Sequence, residues 1–525
     1  MIASLLLAVT IVAHDPGYYT SLAKHQERWL TDNGIAAKVV TPKEMPQALA
    51  KEKIAFLVGF ERPTDDEMRT LGSYRARGGK LVVFYSSSPQ LAQLMDVRPL
   101  GFAKAAYPGQ WSRMTFASKF PEGVPASILQ TSSVLQRVAP LPGKGRVMAT
   151  WSDRSGKSTG DAAWVATAGG YWMSHVLLAD GDENLKAQLL SALVGSVDSK
   201  QWNYAKFAAR RAAADQALRT LALNQVPRKG EIHAVWDHSG CGLYPRNWPK
   251  TMQILQAAHV TDLFVNVAGA GFAHYPSDVL PRSKTLSDEG DQLAACLVAA
   301  RGTGIRVHAW ILCFSATRAT SDRLEVFAKK GWRLKATNGK LTEYLDPSNP
   351  AVRSYVLSAI DEIQRKYAVH GIHLDFVRWG DTAVKPANAA DSVTRFVADA
   401  RRRVKRPKWF TAAVYGKYPQ CVKTVGQDWE GWVDANLVDY VVPMDYTDSK
   451  PKLLELLAVQ GRSRKLAQRT IVGLGVTANE SRLDARDVIE QINLTRKFGF
   501  AGVALFDLDT TLEKQILPYL RMGIW

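Results

Sequence analysis

The chain has 525 residues, a length that predicts about two to four domains. Hydrophobic residues make up 46% and charged residues 22%, which excludes extensive disorder. The net charge of +18 favours an anionic partner. Because the basic residues are spread along the chain, and their densest run (401–406) reads as a helix end, we predict no nucleic-acid partner.

The sequence favours neither a metal nor a cofactor. None of the four cysteines is spaced as C-x-x-C, so a zinc knuckle, a redox motif and a disulfide framework are not predicted. His233, Asp237 and His238 lack the alternate spacing that would aim two ligands from one strand at a metal. A phosphate-binding G-x-x-x-x-G-K-[ST] loop is absent from the sequence.

Residues 2–13 are apolar and have two readings. They resemble the core of an export signal, which would make the protein extracytoplasmic, although no Lys or Arg precedes them. They also read as a buried strand that ends at the loop 14–17. No other stretch approaches the apolar length of a transmembrane helix, so we predict no integral membrane segment.

Residues 1–200 alternate short apolar runs with helical patterns. Helices are predicted at 20–33, 65–77 and 183–193. The predicted strands are 9–13, 37–40, 54–58, 80–85, 147–151, 162–167 and 171–178. This alternation predicts an α/β domain, a doubly wound parallel sheet with helices on both faces.

The arrangement of this first domain resembles the class I glutamine amidotransferase-like fold. That family turns sharply at a nucleophilic cysteine after the strand that corresponds to 80–85. Here the turn is Ser86-Ser87-Ser88-Pro89, and the first 240 residues contain no cysteine. A glycine-flanked serine elbow is also missing. We therefore expect a scaffold or a glycan-facing accessory domain without catalytic activity.

Residues 201–230 are rich in Ala and Arg and predict a helical linker. The remaining segment, 231–525, has the length of one (β/α)8 TIM barrel. Helical patterns separate eight strand candidates: 232–236, 262–267, 307–312, 371–376, 410–414, 438–444, 471–476 and 502–506.

Active sites of such barrels lie at the carboxyl ends of the strands. These ends carry several carboxylates together with many aromatic residues, the combination that a glycosidase needs. The candidate sugar platforms are Trp236, Trp310, Trp379, Trp429 and Tyr446. Ordinary packing in the core or at the rim is the alternative reading for each of them.

One segment carries a specific resemblance. Residues 345–353 read L-D-P-S-N-P-A-V-R, and residues 371–379 read G-I-H-L-D-F-V-R-W. Gln427-Asp428-Trp429 and the run 438–446 follow in order. Together they resemble the glycosyl-hydrolase-like barrel family formerly known as a domain of unknown function, over about 231–510. The family is related to α-amylase-type barrels and includes a glycosidase that acts on peptidoglycan strands stripped of stem peptides. His370 replaces its usual acidic residue.

The resemblance implies that Asp375 occupies the position of the amylase nucleophile. An ion pair between Asp375 and Arg378 is the structural alternative. Amylases have an arginine where this chain has His373. His373 is expected to bond a substrate hydroxyl, to orient Asp375, or to be a buried histidine with satisfied nitrogens. Arg378 would hold a substrate carboxylate or pair with a neighbour.

The second carboxylate is less defined. Asp445 is the first choice for the general acid, and Asp428 and Glu480 follow. Several of these carboxylates are expected to be loop caps or salt bridges. The predicted substrate-binding residues are His373, Arg378, Trp236, Asp237, Trp310, Trp379, Trp429, Tyr446, Asn266 and Asp509.

The predicted function is hydrolysis of O-glycosidic bonds in a bacterial polysaccharide by two carboxylates. Peptidoglycan glycan strands are one candidate substrate, and an anionic glycan would suit the charge. Two alternatives stay open: a barrel that binds glycan without cutting it, and a metal-dependent hydrolase or deacetylase.

Overall fold

The computed structural model describes residues 9–15, 17–107, 109–117, 120–179 and 182–525. The chain divides into two compact units, one ending at Asp215 and the other beginning at Gln216. The helix Tyr204–Leu223, within the Ala- and Arg-rich segment, runs through this junction. Residues 1–8, the first part of the candidate export signal, lie outside the described residues. Across the described ranges, no helix combines the length and apolarity needed to span a membrane.

The N-terminal unit is built on a nine-stranded sheet of order β2-β1-β3-β4-β11-β10-β9-β6-β7. The strands from β2 to β11 in this order are parallel, and the remaining neighbours pair antiparallel. Its elements are β1(Val9–Ala13), α1(Tyr18–Asp32), β2(Ala37–Val40), α2(Met45–Ala48), β3(Ile54–Val58), α3(Asp65–Ala76), β4(Lys80–Phe84), α4(Pro89–Leu94), β5(Val97–Lys104), β6(Trp111–Phe116), β7(Ser127–Ser132), β8(Val134–Pro140), β9(Gly145–Ser152), β10(Ser158–Thr167), β11(Gly170–Met173), α5(Glu183–Val197) and α6(Tyr204–Leu223).

The two faces of this sheet bury separate cores, because successive strand residues point to opposite sides. Ile11 of β1 packs into one core with Leu30 of α1 and Leu189 of α5. Val12, the next residue, packs into the other core with Leu71 of α3. The predicted helices on both faces are therefore confirmed.

The antiparallel half of the sheet departs from the predicted all-parallel arrangement. β5 to β8 were not predicted from the sequence. β6 and β7 pair antiparallel at the end of this sheet, whereas β5 and β8 form a separate two-stranded antiparallel sheet. Pro99 and Gly101 lie inside β5, and both residue types are disfavoured in regular strands. β11 also ends at Met173, so residues 174–178, predicted as strand, continue as loop.

The C-terminal unit contains a closed barrel of eight parallel strands, as predicted. Their order is β12-β22-β21-β20-β19-β18-β15-β13, and β13 pairs again with β12. The observed strand ends lie within two residues of the predicted ones. The elements are β12(Ile232–Asp237), α7(Trp248–Ala257), β13(Asp262–Gly269), β14(Phe272–Ala273), α8(Lys284–Glu289), α9(Gln292–Ala300), β15(Arg306–Leu312), α10(Ser321–Lys329), β16(Arg333–Lys335), β17(Leu341–Leu345), α11(Pro350–Lys366), β18(Gly371–Asp375), α12(Ala389–Arg403), β19(Trp409–Tyr415), α13(Gln420–Val425), α14(Trp429–Asp434), β20(Tyr440–Met444), α15(Lys450–Gln460), α16(Arg464–Ala467), β21(Ile471–Gly475), α17(Ala485–Lys497), β22(Gly502–Phe506), a π-helical turn (Leu512–Ile516) and α18(Leu517–Leu520).

Side chains fill the inside of the barrel. Phe264, Trp310, Val442 and Ala504, from four different strands, belong to one buried cluster. A packed interior of this kind leaves no channel through the barrel. In barrels of this kind, ligands bind at the mouth formed by the carboxyl ends of the strands and the loops that follow them.

Candidate active site

Asp375 ends β18 and points into the barrel, because Gly371, His373 and Asp375 alternate along one face of the strand. Its Oδ2 accepts a hydrogen bond from Nε1 of Trp310 (3.2 Å), and its Oδ1 accepts one from the backbone N–H of Phe376 (2.5 Å). Burial raises the pKa of Asp375, and the nearby Arg378 charge and these hydrogen bonds oppose that rise. Asp375 is thus a desolvated carboxyl group held in a fixed position.

Arg378 lies beside this carboxyl group without pairing with it. No nitrogen of Arg378 comes within 4.0 Å of an Asp375 oxygen, so the ion pair considered from the sequence is not formed. The guanidinium instead stacks between the rings of Phe376 (4.1 Å) and Tyr415 (4.5 Å). It is buried, and its Nε and Nη1 have no hydrogen-bond partner among the described residues.

His373 lies one layer deeper and is fully buried. Its Nε2 accepts a hydrogen bond from Nε1 of Trp236 (2.9 Å), and its Nδ1 is 2.8 Å from Oγ1 of Thr411. Since Nε2 is the acceptor, Nδ1 carries the proton and donates it to Thr411. Burial lowers the pKa of His373, and its ring stacks on Phe264 at 4.1 Å. Both nitrogens are occupied, so the expected contact with a substrate hydroxyl is not available.

Trp236, Trp310 and Asn266 form the floor of the mouth. Asn266 pairs in register with Trp310 on the neighbouring strand. It is fully buried, and neither its Oδ1 nor its Nδ2 has a partner within the described part of the chain. An unpaired buried amide is unfavourable unless a ligand or water satisfies it. Asn266 therefore suits the predicted role of binding a polar substrate group.

Four carboxylates lie close enough to Tyr446 to affect its pKa. The ring of Tyr446 meets Trp236 edge-on at 6.4 Å and stacks on Phe506 at 5.4 Å. Burial raises the pKa of Tyr446, and negative charges add to that effect. The carboxylates responsible, in decreasing order, are Asp375, Asp507, Glu480 and Asp445.

Asp507 is a carboxyl group of the mouth that the sequence analysis did not select, although it follows β22 directly. Its Oδ1 accepts hydrogen bonds from the backbone N–H of His238 (3.1 Å) and of Leu508 (2.7 Å). Burial raises the pKa of Asp507 to about 6. His238 is also close to Asp375, whose charge affects the pKa of this histidine. Asp375 and Asp507 thus share His238 and Tyr446 as neighbours.

Glu480 and Asp445, both predicted as catalytic, have different environments. Glu480 is exposed and makes no hydrogen bond or ion pair with the residues that the structure describes. Asp445 is buried and accepts a hydrogen bond at Oδ1 from Nε2 of Gln460 on α15 (2.8 Å). Because Val442 and Tyr446 belong to the inner cluster, the alternation turns Asp445 outward, towards α15. The structure therefore separates Asp445 from the mouth.

The other predicted residues have structural roles. Asp428 accepts from Gly431 N–H and begins α14. Asp509 accepts a hydrogen bond from the N–H of Leu512 (2.8 Å), the first residue of the π-helical turn. Asp237 is fully buried, and its oxygens accept from Ser239, Gly240 and Gly242 in the following loop. Trp379 and Trp429 belong to the outer core and donate to the backbone oxygens of Ala389 and Tyr415.

The most specific sequence motif also has a structural role. Asp346 accepts from the N–H of Ser348 (2.7 Å), and Asn349 accepts from the N–H of Ala351 (2.9 Å) as the N-cap of α11. Pro350 follows at the first helical position. The motif L-D-P-S-N-P thus sets the start of the helix that leads into β18.

A second arginine lies at the rim. Arg318 packs over the ring of Phe272 at 4.4 Å, and its positive charge contributes to the lowered pKa values of His238 and His274. It pairs with no carboxylate among the described residues. Within the same described residues, no three His, Cys, Asp or Glu side chains are grouped as metal ligands.

Residues 231–379 match the sequence model of the family Glycosyl hydrolase-like 10. This match confirms the predicted resemblance over those residues, which include Asp375 and Arg378. No curated protein sequence matches the chain significantly. The amidotransferase-like character of the N-terminal unit remains a prediction.

Solved structures show distant similarity. An α-L-fucosidase isoenzyme 2 from Paenibacillus thiaminolyticus is 16% identical with a TM-score of 0.40, covering 56% of this chain and 48% of its own. This chain thus spans about half the length of that fucosidase. A class V chitinase from Pseudomonas fluorescens Pf-5 is 12% identical (TM-score 0.37, 56% and 99% covered). A ThuA-like protein from Bacteroides uniformis is 13% identical (TM-score 0.30, 38% and 96% covered).

Proposed function

We propose that the barrel is a glycoside hydrolase whose catalytic carboxyl groups are Asp375 and Asp507. The observation that carries this proposal is a pair of buried carboxyl groups at one barrel mouth. Both lie close to His238 and Tyr446. Glycosidases use one carboxylic acid to protonate the leaving oxygen. A second carboxylate either attacks the anomeric carbon or activates a water molecule. The match of residues 231–379 to a glycosyl-hydrolase-like family supports the same class.

Asp507 is the proposed general acid. Its pKa of about 6 keeps part of the population protonated near neutral pH, which is what a proton donor needs. Two backbone N–H groups hold Oδ1, and Oδ2 makes no hydrogen bond with a described residue. In the reaction, this group transfers its proton to the glycosidic oxygen as the bond to the anomeric carbon breaks.

Asp375 is the proposed carboxylate at the anomeric carbon. The Trp310 and Phe376 hydrogen bonds and the Arg378 charge favour its ionised form in a buried site. Its charge stabilises the oxocarbenium-like centre. The oxygen of a water molecule then bonds to the anomeric carbon, and one proton of that water returns to Asp507, which restores the acid. The products are two shorter glycans, one of which carries a new reducing end.

The proposed substrate is a bacterial polysaccharide, with peptidoglycan strands stripped of stem peptides as the first candidate. This choice rests on the family resemblance and on the charge of +18, which suits an anionic wall polymer outside the cytoplasm. For the N-terminal unit we propose a scaffolding or glycan-facing role, because Ser86 and Ser87 at its strand-to-helix turn both donate to backbone oxygens.

The test is a reducing-end assay on a glycan panel that includes stem-free peptidoglycan strands. The parent protein is compared with Asp375→Asn, Asp507→Asn and Glu480→Gln, with and without chelator. We expect cleavage by the parent, indifference to chelator, loss in both Asp variants and a smaller effect in Glu480→Gln. Loss in Glu480→Gln with activity retained in Asp507→Asn would move the acid to Glu480. Binding without cleavage by the parent would indicate a non-catalytic barrel, and loss with chelator a metal-dependent hydrolase.

A further inference from the structure

We propose that Arg378 forms a subsite for a carboxylate carried by the sugar chain, next to the bond that is cut. This inference rests on the proposed glycosidase function and specifies its substrate class. Its basis is a guanidinium group that is buried in the mouth, lies between two rings, and has two buried nitrogens without a hydrogen-bond partner among the described residues.

Two nitrogens of the Arg378 guanidinium are unpaired among the described residues. The Arg378 side chain is only 6% exposed, and buried polar groups of native proteins normally have partners. Its Nε and Nη1 are buried, and no atom of the residues that the structure describes accepts a hydrogen bond from them. A buried donor left unpaired is unfavourable, and the penalty is larger for a charged group. A ligand that supplies oxygen acceptors would remove it.

Two aromatic rings, those of Phe376 and Tyr415, form a clamp around the Arg378 guanidinium. Phe376 and Tyr415 lie at 4.1 and 4.5 Å from the guanidinium carbon, so they hold the plane of the group. Ring faces satisfy none of its N–H donors. A guanidinium fixed in this way leaves its edges for ligands, and planar carboxylates match the spacing of its donors.

Asp381 is the nearby acid that could compete, and its contacts are weak. Its Oδ1 is 4.0 Å from Nε of Arg378, which is longer than a hydrogen bond, and its side chain is 47% exposed. The same oxygen accepts a hydrogen bond from Tyr415 Oη (2.8 Å). Asp381 therefore fixes Tyr415 in the clamp and leaves the guanidinium donors unused.

The charges around the subsite favour a singly charged group. Arg378 faces Asp381 and Asp375, and the charges of all three affect the pKa of Tyr344. A dianion such as a phosphate monoester would be repelled by two carboxylates more strongly than a monoanion. Arg378 follows Asp375 by three residues, so the bound carboxylate belongs to a sugar close to the scissile bond.

The test compares one acidic glycan that the parent cleaves with the same glycan after chemical reduction of its carboxylates to alcohols. We expect kcat/KM of the parent to fall about 10- to 100-fold on the reduced glycan, the range for a charge-assisted hydrogen bond. Arg378→Gln should cleave both forms equally and slowly. Arg378→Lys, which keeps the charge without the planar fork, should recover part of the preference.

Arg318→Gln is the matched control, because it removes a mouth charge that lacks the buried clamp. It should keep most of the preference for the acidic glycan. Equal losses in Arg318→Gln and Arg378→Gln would assign the preference to the general positive field and overturn the subsite. Equal cleavage of both glycans by the parent, or preference for a phosphorylated polymer, would also overturn it while the glycosidase function stands. No cleavage of any glycan would remove both proposals. Thermal melting checks that each variant is folded.

Discussion

The carboxyl edges of the two sheets differ in what their polar side chains do. At the carboxyl edge of the sheet in the N-terminal unit, called the N-terminal edge below, Ser86 and Ser87 donate to the backbone oxygens of Phe60 and Glu61. Ser88 is the N-cap of α4. At the barrel mouth, by contrast, Arg378 and Asn266 are buried with unpaired polar atoms.

The difference is informative because both edges carry residues that can support chemistry. The hydroxyl groups of Ser86, Ser87 and Ser88 are all used in hydrogen bonds within the fold. Where buried donors and acceptors stay unpaired, the fold has accepted an unfavourable state that a ligand can relieve. The comparison therefore supports our proposal that the chemistry takes place at the barrel mouth.

Substitutions at the two edges should differ strongly in their effect on kcat/KM. Asp375→Asn should reduce kcat/KM on the best glycan by about 10²- to 10⁴-fold, because a catalytic carboxyl group is lost. Ser87→Ala at the N-terminal edge should change it less than about twofold, since its hydroxyl only contacts the Glu61 backbone. A comparable loss in Ser87→Ala would place part of the chemistry in the N-terminal unit and break the comparison.

A second prediction separates the mouth from the outer core of the barrel. Trp429 was a candidate sugar platform, yet it is fully buried in the outer core. Trp429→Ala should lower the free energy of unfolding by about 3–5 kcal/mol through the cavity it leaves. Urea titration measures this loss, and activity per folded molecule at low temperature should be unchanged. A specific rise in KM with unchanged stability would return Trp429 to the substrate site.

The third prediction uses the pH dependence of catalysis. Because Asp507 must be protonated to act as the acid, kcat/KM should fall about tenfold per pH unit above its pKa of about 6. In Asp507→Asn the residual activity should lose this alkaline limb. A limb that persists unchanged in the variant would show that another group titrates there.

The fourth prediction concerns stability and pH. Burial raises the pKa of Asp445 to about 8, above its ordinary value of 3.8. Its stabilising effect is therefore complete below about pH 4 and is lost as the pH rises through about 8. Asp445→Asn should show a smaller fall in melting temperature between pH 5 and pH 9 than the parent. Parallel curves for the two proteins would mean that Asp445 is ionised without penalty.

The smallest effect tests the N-terminal edge itself. Ser88 accepts from the N–H of Leu91 (3.2 Å) as the N-cap of α4. Ser88→Ala should reduce stability by about 1 kcal/mol without an effect on activity. Thr64→Ala, at the N-cap of α3, is the control for a capping loss elsewhere in this unit and should behave alike.

Much of the fold could be predicted from the sequence. The barrel strands are short apolar runs between helical patterns, and their ends follow from that pattern alone. Strands β5 to β8 were missed, because Pro99 and Gly101 obscure β5 and because the pairing partners of strands are non-local.

The site was predicted less completely. Asp375, Arg378, Asn266 and Tyr446 follow from strand ends and alternation. Asp509 was selected instead of Asp507, since sequence position does not show that Asp509 accepts the hydrogen bond of Leu512 N–H in the π-helical turn.

Some sequence signals reflected structure instead of chemistry. Asp445 stands at a strand end, but it faces α15 and Gln460. Asp428 and Trp429 belong to a specific motif whose side chains cap a helix and fill the outer core. Strand position predicts which residues are near a mouth, whereas the loop geometry decides which way each side chain points.

We propose that the barrel mouth cuts a glycosidic bond with water. Such a reaction places an oxygen atom of water in the product, so labelled water reports it directly. The parent and Asp375→Asn are incubated with the best glycan in H₂¹⁸O, and the products are weighed by mass spectrometry. We expect one ¹⁸O atom at each new reducing end with the parent and none with the variant. Label found only in released acetate, or chain cleavage without label, would contradict it.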